Sequence, residues 1–408
     1  MREIDLREYV RSDPVRLSVA ERDGLNAIVP SLTIEPVAGA EGRYHLTPGS
    51  VVGALESNGL SVSIRPKLDI VRVLFLASYA MGAFKLRDME RFDFAHERNL
   101  VEAMALALAT AARRAFAGGL VHGYRTEEEA AHTVRGRIRI DEQIRRRFGA
   151  AVPVEVRYDE FTDDVTANRL VKAAAARLGR LRLSTKRSRD GLHWIAATLD
   201  NVSLEEFPAT AVPEVTFDRL NEHYREVVAL ARLVLRHGSF EAHRGGVRAQ
   251  AFLINMNEVF QHFVTRALRE ELRLSPRVFR SDSTIERTFL DEGNRIRLKP
   301  DLSWWESGAC TFVGDAKYKR IVDTRVPNAD LYQLLAYAVA LDLPGGMLIY
   351  AQGEAEPATH RVRHAGKRLQ VAAVDLSGSP AELLGGIKAL AKRVRAIRVE
   401  AGRMSPAA

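Results

Sequence analysis

Two acidic residues and a lysine are the clearest candidates for chemistry in this chain of 408 residues. Asp301 follows a proline in the run KPDLSWW, and Asp315 and Lys317 flank an alanine in the run GDAKYK. Two carboxylates can hold Mg²⁺ or Mn²⁺, and a nearby lysine can orient or deprotonate a water molecule or stabilise developing negative charge. The pattern is typical of a metal-dependent nuclease site, and ordinary surface charges on a hairpin are the alternative.

The spacing of these residues predicts that they meet. Alternate residues of a strand face the same way, so Asp315 and Lys317 share a face. The run WESGAC (305–310) predicts a turn that folds this strand back on the strand after Asp301. Each half of the pattern is common by chance. Their order and spacing on two apolar runs favour a site.

A second pair lies on the next predicted helix, at about 329–342. Gln333 and Tyr337 are four residues apart, so they lie on one helix face. Beside an Asp-x-Lys motif, the run YQLLAY resembles the Gln-x3-Tyr element of RecB-related nucleases, and this resemblance implies that the pair borders the active site. Alone, they would be a polar and an aromatic residue on an amphipathic helix.

Composition limits the class of protein. The formal net charge of +8 suits a nucleic-acid partner, although basic membrane-surface proteins look similar in bulk. The single cysteine, Cys310, excludes an internal disulfide and a cysteine-rich zinc site. The apolar runs are too short to cross a bilayer, so we expect a soluble cytoplasmic protein. The sequence contains no phosphate-binding G-x4-G-K-[ST] loop, so another chain would supply any nucleotide hydrolysis.

Periodicity predicts a multi-domain α/β protein. We expect an N-terminal β-rich domain at 1–95, a mostly helical middle region at 96–245 and an α/β domain with a mixed sheet at 246–400. Residues 401–408 are predicted to be a disordered tail.

Three local predictions accompany this division. Residues 15–39 are expected to form strands and turns, and residues 249–272 a single helix whose apolar face includes Phe252 and Phe260. The run YDEFTDD (158–164) is expected to be a loop whose acids cap the following helix and pair with arginines.

Several longer stretches resemble the McrC family, the nuclease subunits of McrBC methylation-dependent restriction systems. They are GLSVSIRPKLDI, GLVHGYRTEEEAAHTVRGRIRIDEQIRR, YDEFTDDVTANRLVKAAAARL, FLINMNEVFQHFV, KPDLSWW, GDAKYK and DLYQLLAYA. The resemblance implies a restriction-endonuclease-like C-terminal domain of the PD-(D/E)xK superfamily. In it Asp301 and Asp315 would bind the metal, Lys317 would be the catalytic lysine, and Gln333 and Tyr337 would border the active site.

The resemblance also implies partners. These are DNA, with 5-methylcytosine or a similar modification, and a McrB-like hexameric AAA+ NTPase using GTP or ATP. The N-terminal domain would enter the ring and stimulate hydrolysis, with Arg65 and Lys67 as candidate contacts. Arg135, Arg137 and Lys319 are candidate DNA contacts. Solvated helix faces and strand ends are the alternative for these basic residues.

One position departs from the family pattern. Many related nucleases carry a glutamate on the first helix of the domain, where this chain has Gln261. Glu258 lies nearby but is expected to point into solvent. This departure leaves open a second function, a non-catalytic adaptor of an AAA+ ring. A free-standing DNA-repair nuclease without a motor is a third interpretation.

Overall fold

The computed structural model describes residues 2–82, 99–148, 150–237, 249–281, 288–318, 326–351 and 358–404. The chain divides into two compact units, one combining Met1–Ala103 with Ser239–Ala408 and the other formed by Met104–Gly238. Mixed sheets and helices occur together, which confirms the α/β class. The three domains at 1–95, 96–245 and 246–400 stay a prediction.

Short strands dominate the N-terminal segment of the first unit, as predicted. They are β1 (Arg2–Arg7), β2 (Val15–Arg16), β3 (Thr33–Pro36), β4 (Arg43–Thr47), β5 (Val51–Ser57) and β6 (Leu60–Arg65). The helices are α1 (Val19–Ile28) and α2 (Ile70–Ala80). Strand β1 lies parallel to β6, and β6 is antiparallel to β5, with the Asn58-Gly59 turn between them. Strand β4 pairs with β2 and β3. Buried Ile4, Leu6, Val62 and Ile64 alternate with more exposed residues and form one side of the core.

Helix α1 corrects the prediction of strands and turns at 15–39. The Ser18 hydroxyl accepts a hydrogen bond from the Glu21 amide, and the Glu21 carboxylate accepts one from the Ser18 amide at 2.7 Å. This reciprocal cap stabilises the first turn of a helix. The Ser-x-x-Glu pattern was visible in the sequence and was overlooked beside the alternating apolar residues.

The second unit contains five described helices and a small sheet. In chain order the elements are α3 (Leu100–Ala117), β7 (Gly123–Ala131), β8 (Arg137–Ile138), α4 (Ile140–Arg147), β9 (Val154–Thr162), α5 (Thr166–Gly179), α6 (Lys186–Thr198) and α7 (Arg225–His237). Helix α3 begins in the last residues of the first unit. Strand β9 lies between β7 and β8. Helices supply most of the regular structure, as the sequence predicts for this region.

The acidic run YDEFTDD is not the predicted capping loop. Its first residues belong to strand β9, and among the described residues Val165 caps helix α5 without a side-chain hydrogen bond. The predicted pairing with arginines is confirmed, because Asp164 forms ion pairs with Arg125 and Arg169. The Arg169 guanidinium and hydrogen bonds from Ser203 hold the pKa of Asp164 well below its usual value.

The remaining elements belong to the first unit. The strands are β10 (Ala249–Asn255), β11 (Phe279–Ser281), β12 (Thr288–Phe289), β13 (Arg297–Leu298), β14 (Leu302–Glu306), β15 (Ala309–Lys317), β16 (Gly345–Ala351), β17 (Ala358–Arg361) and β18 (Arg368–Val374). The helices are α8 (Met256–Leu272), α9 (Asn328–Ala340) and α10 (Pro380–Met404). The larger sheet has the order β11-β14-β15-β16-β18-β17. It is mixed, because β14 is antiparallel to β15 while β15, β16 and β18 run parallel.

Strand β10 corrects the prediction of one helix over 249–272. Residues 249–255 pair with β5 in an antiparallel register, with Leu253 opposite Gly53, and the helix begins only at Met256. Phe252 is buried in this strand, while Phe260 is buried in α8 as predicted. The apolar composition of the run suits a helix or a buried strand, and only a partner strand distant in sequence distinguishes them.

Gly53 permits this pairing, and its replacement tests it. The glycine has φ of 133°, and an added Cβ would lie 2.0 Å from the Phe252 carbonyl oxygen. We expect Gly53→Ala to lower the free energy of unfolding by about 2 kcal/mol or more in chemical denaturation. Gly385→Ala is the matched control, because it adds a methyl group to an open, exposed position of α10. It should raise stability by about 1 kcal/mol. Equal effects of the two substitutions would contradict the assigned register.

The C-terminal helix is longer than predicted. Helix α10 continues to Met404, past residue 400, because Ala401 is buried in the core that also contains Val371 and Leu348. Within the described ranges, no helix combines the length and apolar character that crossing a membrane requires.

Candidate active site

A tight hairpin brings the two acidic runs together. Strands β14 and β15 are joined at Ser307 and Gly308, which both have positive φ, at 48° and 85°. A two-residue turn with two positive φ angles matches the twist of antiparallel strands. The register pairs Leu302 with Gly314, so the preceding Asp301 reaches Asp315. The juxtaposition predicted from the sequence is confirmed.

Each carboxylate accepts a hydrogen bond from a backbone amide on the other side of the hairpin. The Asp301 amide donates to Asp315 Oδ1 at 3.2 Å, and the Ala316 amide donates to Asp301 Oδ2 at 2.9 Å. Asp315 is 1% exposed. Two acids held this close and away from water repel each other when both are ionised.

Burial and the adjacent Asp315 raise the pKa of Asp301 to about 8. The ordinary value for an aspartate is about 4. The Ala316 amide and Lys317 act in the opposite direction without cancelling the effect. In the metal-free protein at neutral pH, Asp301 therefore carries a proton, and binding of a cation would release it.

This pKa predicts an unusual dependence of stability on pH. A carboxyl whose pKa is raised by folding stabilises the protein fully below its unfolded pKa, and this stabilisation is lost as the pH rises towards 8. With a chelator present, Asp301→Asn should gain stability over the unsubstituted protein by about 1 kcal/mol per pH unit between pH 5 and 8. Asp342→Asn, at an exposed position on the surface, is the control. Parallel pH profiles for Asp301→Asn and the unsubstituted protein would contradict the assignment.

Lys317 lies on the same face of β15 as Asp315. Its ammonium forms an ion pair with Asp315 Oδ2 and donates to Gln333 Oε1 at 3.0 Å. Burial by itself lowers the pKa of this ammonium, but the carboxylates of Asp315, Asp301 and Asp330 outweigh burial and raise it. Lys317 is therefore a cation at neutral pH.

Helix α9 supplies Gln333 and Tyr337 on the side facing the hairpin. Gln333 reaches Lys317, and the buried Tyr337 donates from Oη to the Lys299 carbonyl at 3.0 Å. Burial and the nearby acids Asp315 and Asp301 raise the pKa of Tyr337, so it remains a hydrogen-bond donor. The structure thus groups the five predicted residues, with Tyr337 fixing the backbone two residues before Asp301.

The sequence interpretation missed one acid at this site. Asp330 on α9 is 5% exposed and accepts a hydrogen bond from the Tyr350 hydroxyl. Tyr350 lies on β16 opposite Lys317 in the register. Asp330 precedes Gln333 by three residues, so it lies on the same helix face, and this spacing was the signal that could have identified it.

Glu258 and Gln261, the two α8 residues considered for the position of a third acid, occupy different environments. Glu258 is exposed and accepts a hydrogen bond from Asn255 Nδ2 at 3.0 Å, which confirms that it points away from the core. Gln261 is partly buried, and its Nε2 has no hydrogen-bond partner within the described part of the chain. Neither supplies a third carboxylate to the pair.

The other predicted basic contacts lie outside this group. Arg65 is paired with Asp5 at 2.8 Å, and the Lys67 ammonium lies 4.1 Å from the centre of the Tyr318 ring. In the second unit, Arg135 stacks on Tyr158 at 4.3 Å and Arg137 is exposed on β8. Lys319 lies outside the described residues. Their proposed contacts with a partner or DNA stay predictions.

The donor set fits a small hard cation. Among the described residues, no group of three or more His, Cys, Asp or Glu side chains converges on one point. Two carboxylates suffice for Mg²⁺, which keeps several of its water ligands in proteins. The raised pKa of Asp301 also fits a site that a cation completes, because the cation would offset the repulsion between the two acids. Asp301 and Asp315 are therefore the residues that would hold a metal.

These observations define the class of protein: it is an α/β protein with a carboxylate pair and a lysine on a mixed sheet. A family model described as McrBC 5-methylcytosine restriction system component matches residues 46–351. This match spans most of the chain, so the protein belongs to that family.

Individual relatives are distant. The type IV methyl-directed restriction enzyme EcoKMcrBC of Escherichia coli K12 is 21% identical over 305 residues, which cover 70% of this chain and 86% of that protein. A solved half-complex of Thermococcus gammatolerans McrB AAA+ hexamers with bound McrC contains a chain of similar fold. The TM-score is 0.62 at 18% identity, over 96% of this chain and 100% of the other.

Proposed function

We propose that this protein is the DNA-cleaving subunit of a modification-dependent restriction complex and hydrolyses phosphodiester bonds with Mg²⁺ or Mn²⁺. The observation that carries the proposal is the buried pair Asp301 and Asp315 with Lys317 beside it, all on one hairpin. Family membership supports the same function. The restriction-endonuclease-like fold of residues 246–400 is part of this proposal.

Asp301 and Asp315 would hold the cation. When bound, the metal supplies Lewis acidity at a phosphate oxygen and lowers the pKa of a water molecule. Because the backbone amide of each strand fixes the carboxylate of the other, the two acids need little rearrangement before binding. Asp301 would release its proton when a cation binds.

Lys317 stabilises charge in this scheme. As a cation it can donate a hydrogen bond to a phosphate oxygen or to the attacking water, which favours this role over removal of a proton. Gln333 accepts from the same ammonium and fixes its direction. Tyr337 holds the backbone at Lys299 and thereby the start of the hairpin.

The partner in the proposal is a McrB-like hexameric AAA+ NTPase, which uses GTP or ATP. The similar solved chain comes from a complex of McrB AAA+ hexamers with McrC. In the proposal the ring engages DNA that carries 5-methylcytosine or a similar modification, and this chain stimulates its nucleotide hydrolysis. The nuclease then cuts after the motor has engaged the site.

Copurification with the AAA+ partner and cleavage assays test the proposal. We expect cleavage of methylated but not unmethylated DNA that requires NTP and Mg²⁺ or Mn²⁺. A complex that hydrolyses NTP and never cuts DNA would overturn it in favour of a non-catalytic adaptor. Metal-dependent cutting by the chain alone, without copurification, would favour a free-standing repair nuclease.

A further inference from the structure

The strand that carries Asp315 and Lys317 leads directly into a buried tyrosine. Strand β15 ends at Lys317, and alternation along the chain turns Tyr318 to the opposite face. Tyr318 is 0% exposed, and its ring centre lies 5.9 Å from that of Phe260 on α8. Whatever fixes Tyr318 also limits where the Lys317 backbone can lie, because the two residues share a peptide bond.

Three residues that follow strands of the N-terminal sheet contact this tyrosine. Parallel strands β1 and β6 end at the same edge, where Glu8 and Tyr9 follow β1 and Lys67 follows β6. The Tyr9 hydroxyl donates to the Tyr318 carbonyl at 2.7 Å, and the Tyr318 hydroxyl donates to Glu8 Oε2 at 3.4 Å. The Lys67 amide donates to the same Glu8 oxygen at 3.0 Å. The Lys67 ammonium lies over the Tyr318 ring, which favours a cation–π contact.

The backbone conformation of Tyr9 independently indicates that its contact with Tyr318 is fixed by the surrounding structure. Its φ is 58°, in the left-handed region that a bulky side chain rarely adopts. The Tyr9 amide donates to the Pro48 carbonyl at 3.0 Å and holds this conformation. Strained conformations persist where the surrounding structure fixes them, often at functional sites. Here the conformation directs the Tyr9 hydroxyl at the carbonyl that follows Lys317.

We propose that Glu8, Tyr9 and Lys67 are positioning residues for the nuclease site. They hold Tyr318 against the N-terminal sheet and so set the place of Lys317 relative to Asp315. This inference rests on the proposed function in that it assigns the cluster to control of cleavage. A partner that engages the N-terminal sheet can then change cleavage through this cluster without touching the acids.

Tyr9→Phe tests the inference in the full chain and in the complex with the AAA+ partner. Loss of one hydrogen bond predicts a kcat for cleavage that is lower by roughly five- to tenfold. The KM for DNA and the rate of NTP hydrolysis should stay within about twofold. The cluster contacts Tyr318 and, in this scheme, touches neither DNA nor nucleotide. In the isolated chain, amide hydrogen exchange at 316–318 should become faster. Tyr44→Phe is the matched control, because it removes a tyrosine hydroxyl from β4, which pairs with β2 and β3 in the same N-terminal segment.

Glu8→Gln gives a second variant if Tyr9→Phe folds poorly, because it keeps the shape of the side chain and removes its charge. Faster exchange at 316–318 in either variant but not in Tyr44→Phe supports the inference. Unchanged exchange there overturns it, whatever happens to cleavage. If the unsubstituted complex does not cut DNA at all, the proposed function fails, and the exchange measurement still decides whether the cluster positions Lys317.

Discussion

Replacing Asp315 by asparagine should reduce DNA cleavage by the assembled complex by roughly a thousandfold or more. The side chain keeps its size but loses the charge that would hold the cation and pair with Lys317. The substitution also removes the charge that, together with burial, raises the pKa of Asp301. The expected phenotype is a stable, partner-binding chain that does not cut.

Single-turnover cleavage of methylated DNA, with NTP hydrolysis followed in the same reaction, measures this effect. The rate of NTP hydrolysis should stay near that of the unsubstituted complex. Asp342→Asn changes an exposed aspartate of the same unit and should leave both rates intact. Cleavage by Asp315→Asn at the full rate would contradict the assignment of Asp315 to the active site.

Lys317→Met should have the second large effect, because we expect it to lower the rate of DNA cleavage by roughly a hundredfold or more. Methionine preserves much of the aliphatic length but removes the cation that faces Asp315 and Gln333. Lys317→Arg should restore little activity, because a planar guanidinium cannot replace a compact ammonium between two fixed partners. The binding of Mn²⁺ should weaken less than cleavage, since Asp301 and Asp315 remain.

Cleavage rates at saturating metal and a titration with Mn²⁺ separate these two consequences. Lys388→Met removes an exposed lysine from α10 and serves as the control. If Lys317→Met cleaves at the normal rate once Mn²⁺ is saturating, the lysine acts only through metal binding. That result would contradict its proposed role in stabilising charge.

The sequence predicts the hairpin of the candidate site because its determinants are local. A turn at Ser307-Gly308 and two short apolar runs place Asp301 beside Asp315 without any distant contact. The helix that carries Gln333 and Tyr337 is likewise a local pattern. Asp330 was missed because a single acid near a helix start usually indicates a solvated residue, and its burial depends on Tyr350 from another strand.

Distant pairing explains one error in the fold, the single helix predicted over 249–272, whereas the missed helix α1 had a local signal. Residues 249–255 become a strand because β5 offers an edge, and nothing within the run itself specifies that partner. The role of Lys67 is similar, since an Arg-Pro-Lys run after a strand suggests an exposed charge. Its contact with Tyr318 requires the parallel pairing of β1 and β6 and the buried end of β15.

The pairing of β5 with β10 separates the order of synthesis from the order of folding. Synthesis adds about 5–20 residues per second, so the roughly two hundred residues between these strands delay their meeting by about 10–40 seconds. During this interval β5 presents an unpaired edge of the kind that promotes association between chains. Strands β7, β8 and β9 pair with one another inside the second unit and can form meanwhile. Strand β5 is among the first strands to leave the ribosome. It therefore gains its last neighbouring strand, β10, after most of the second unit has been synthesised.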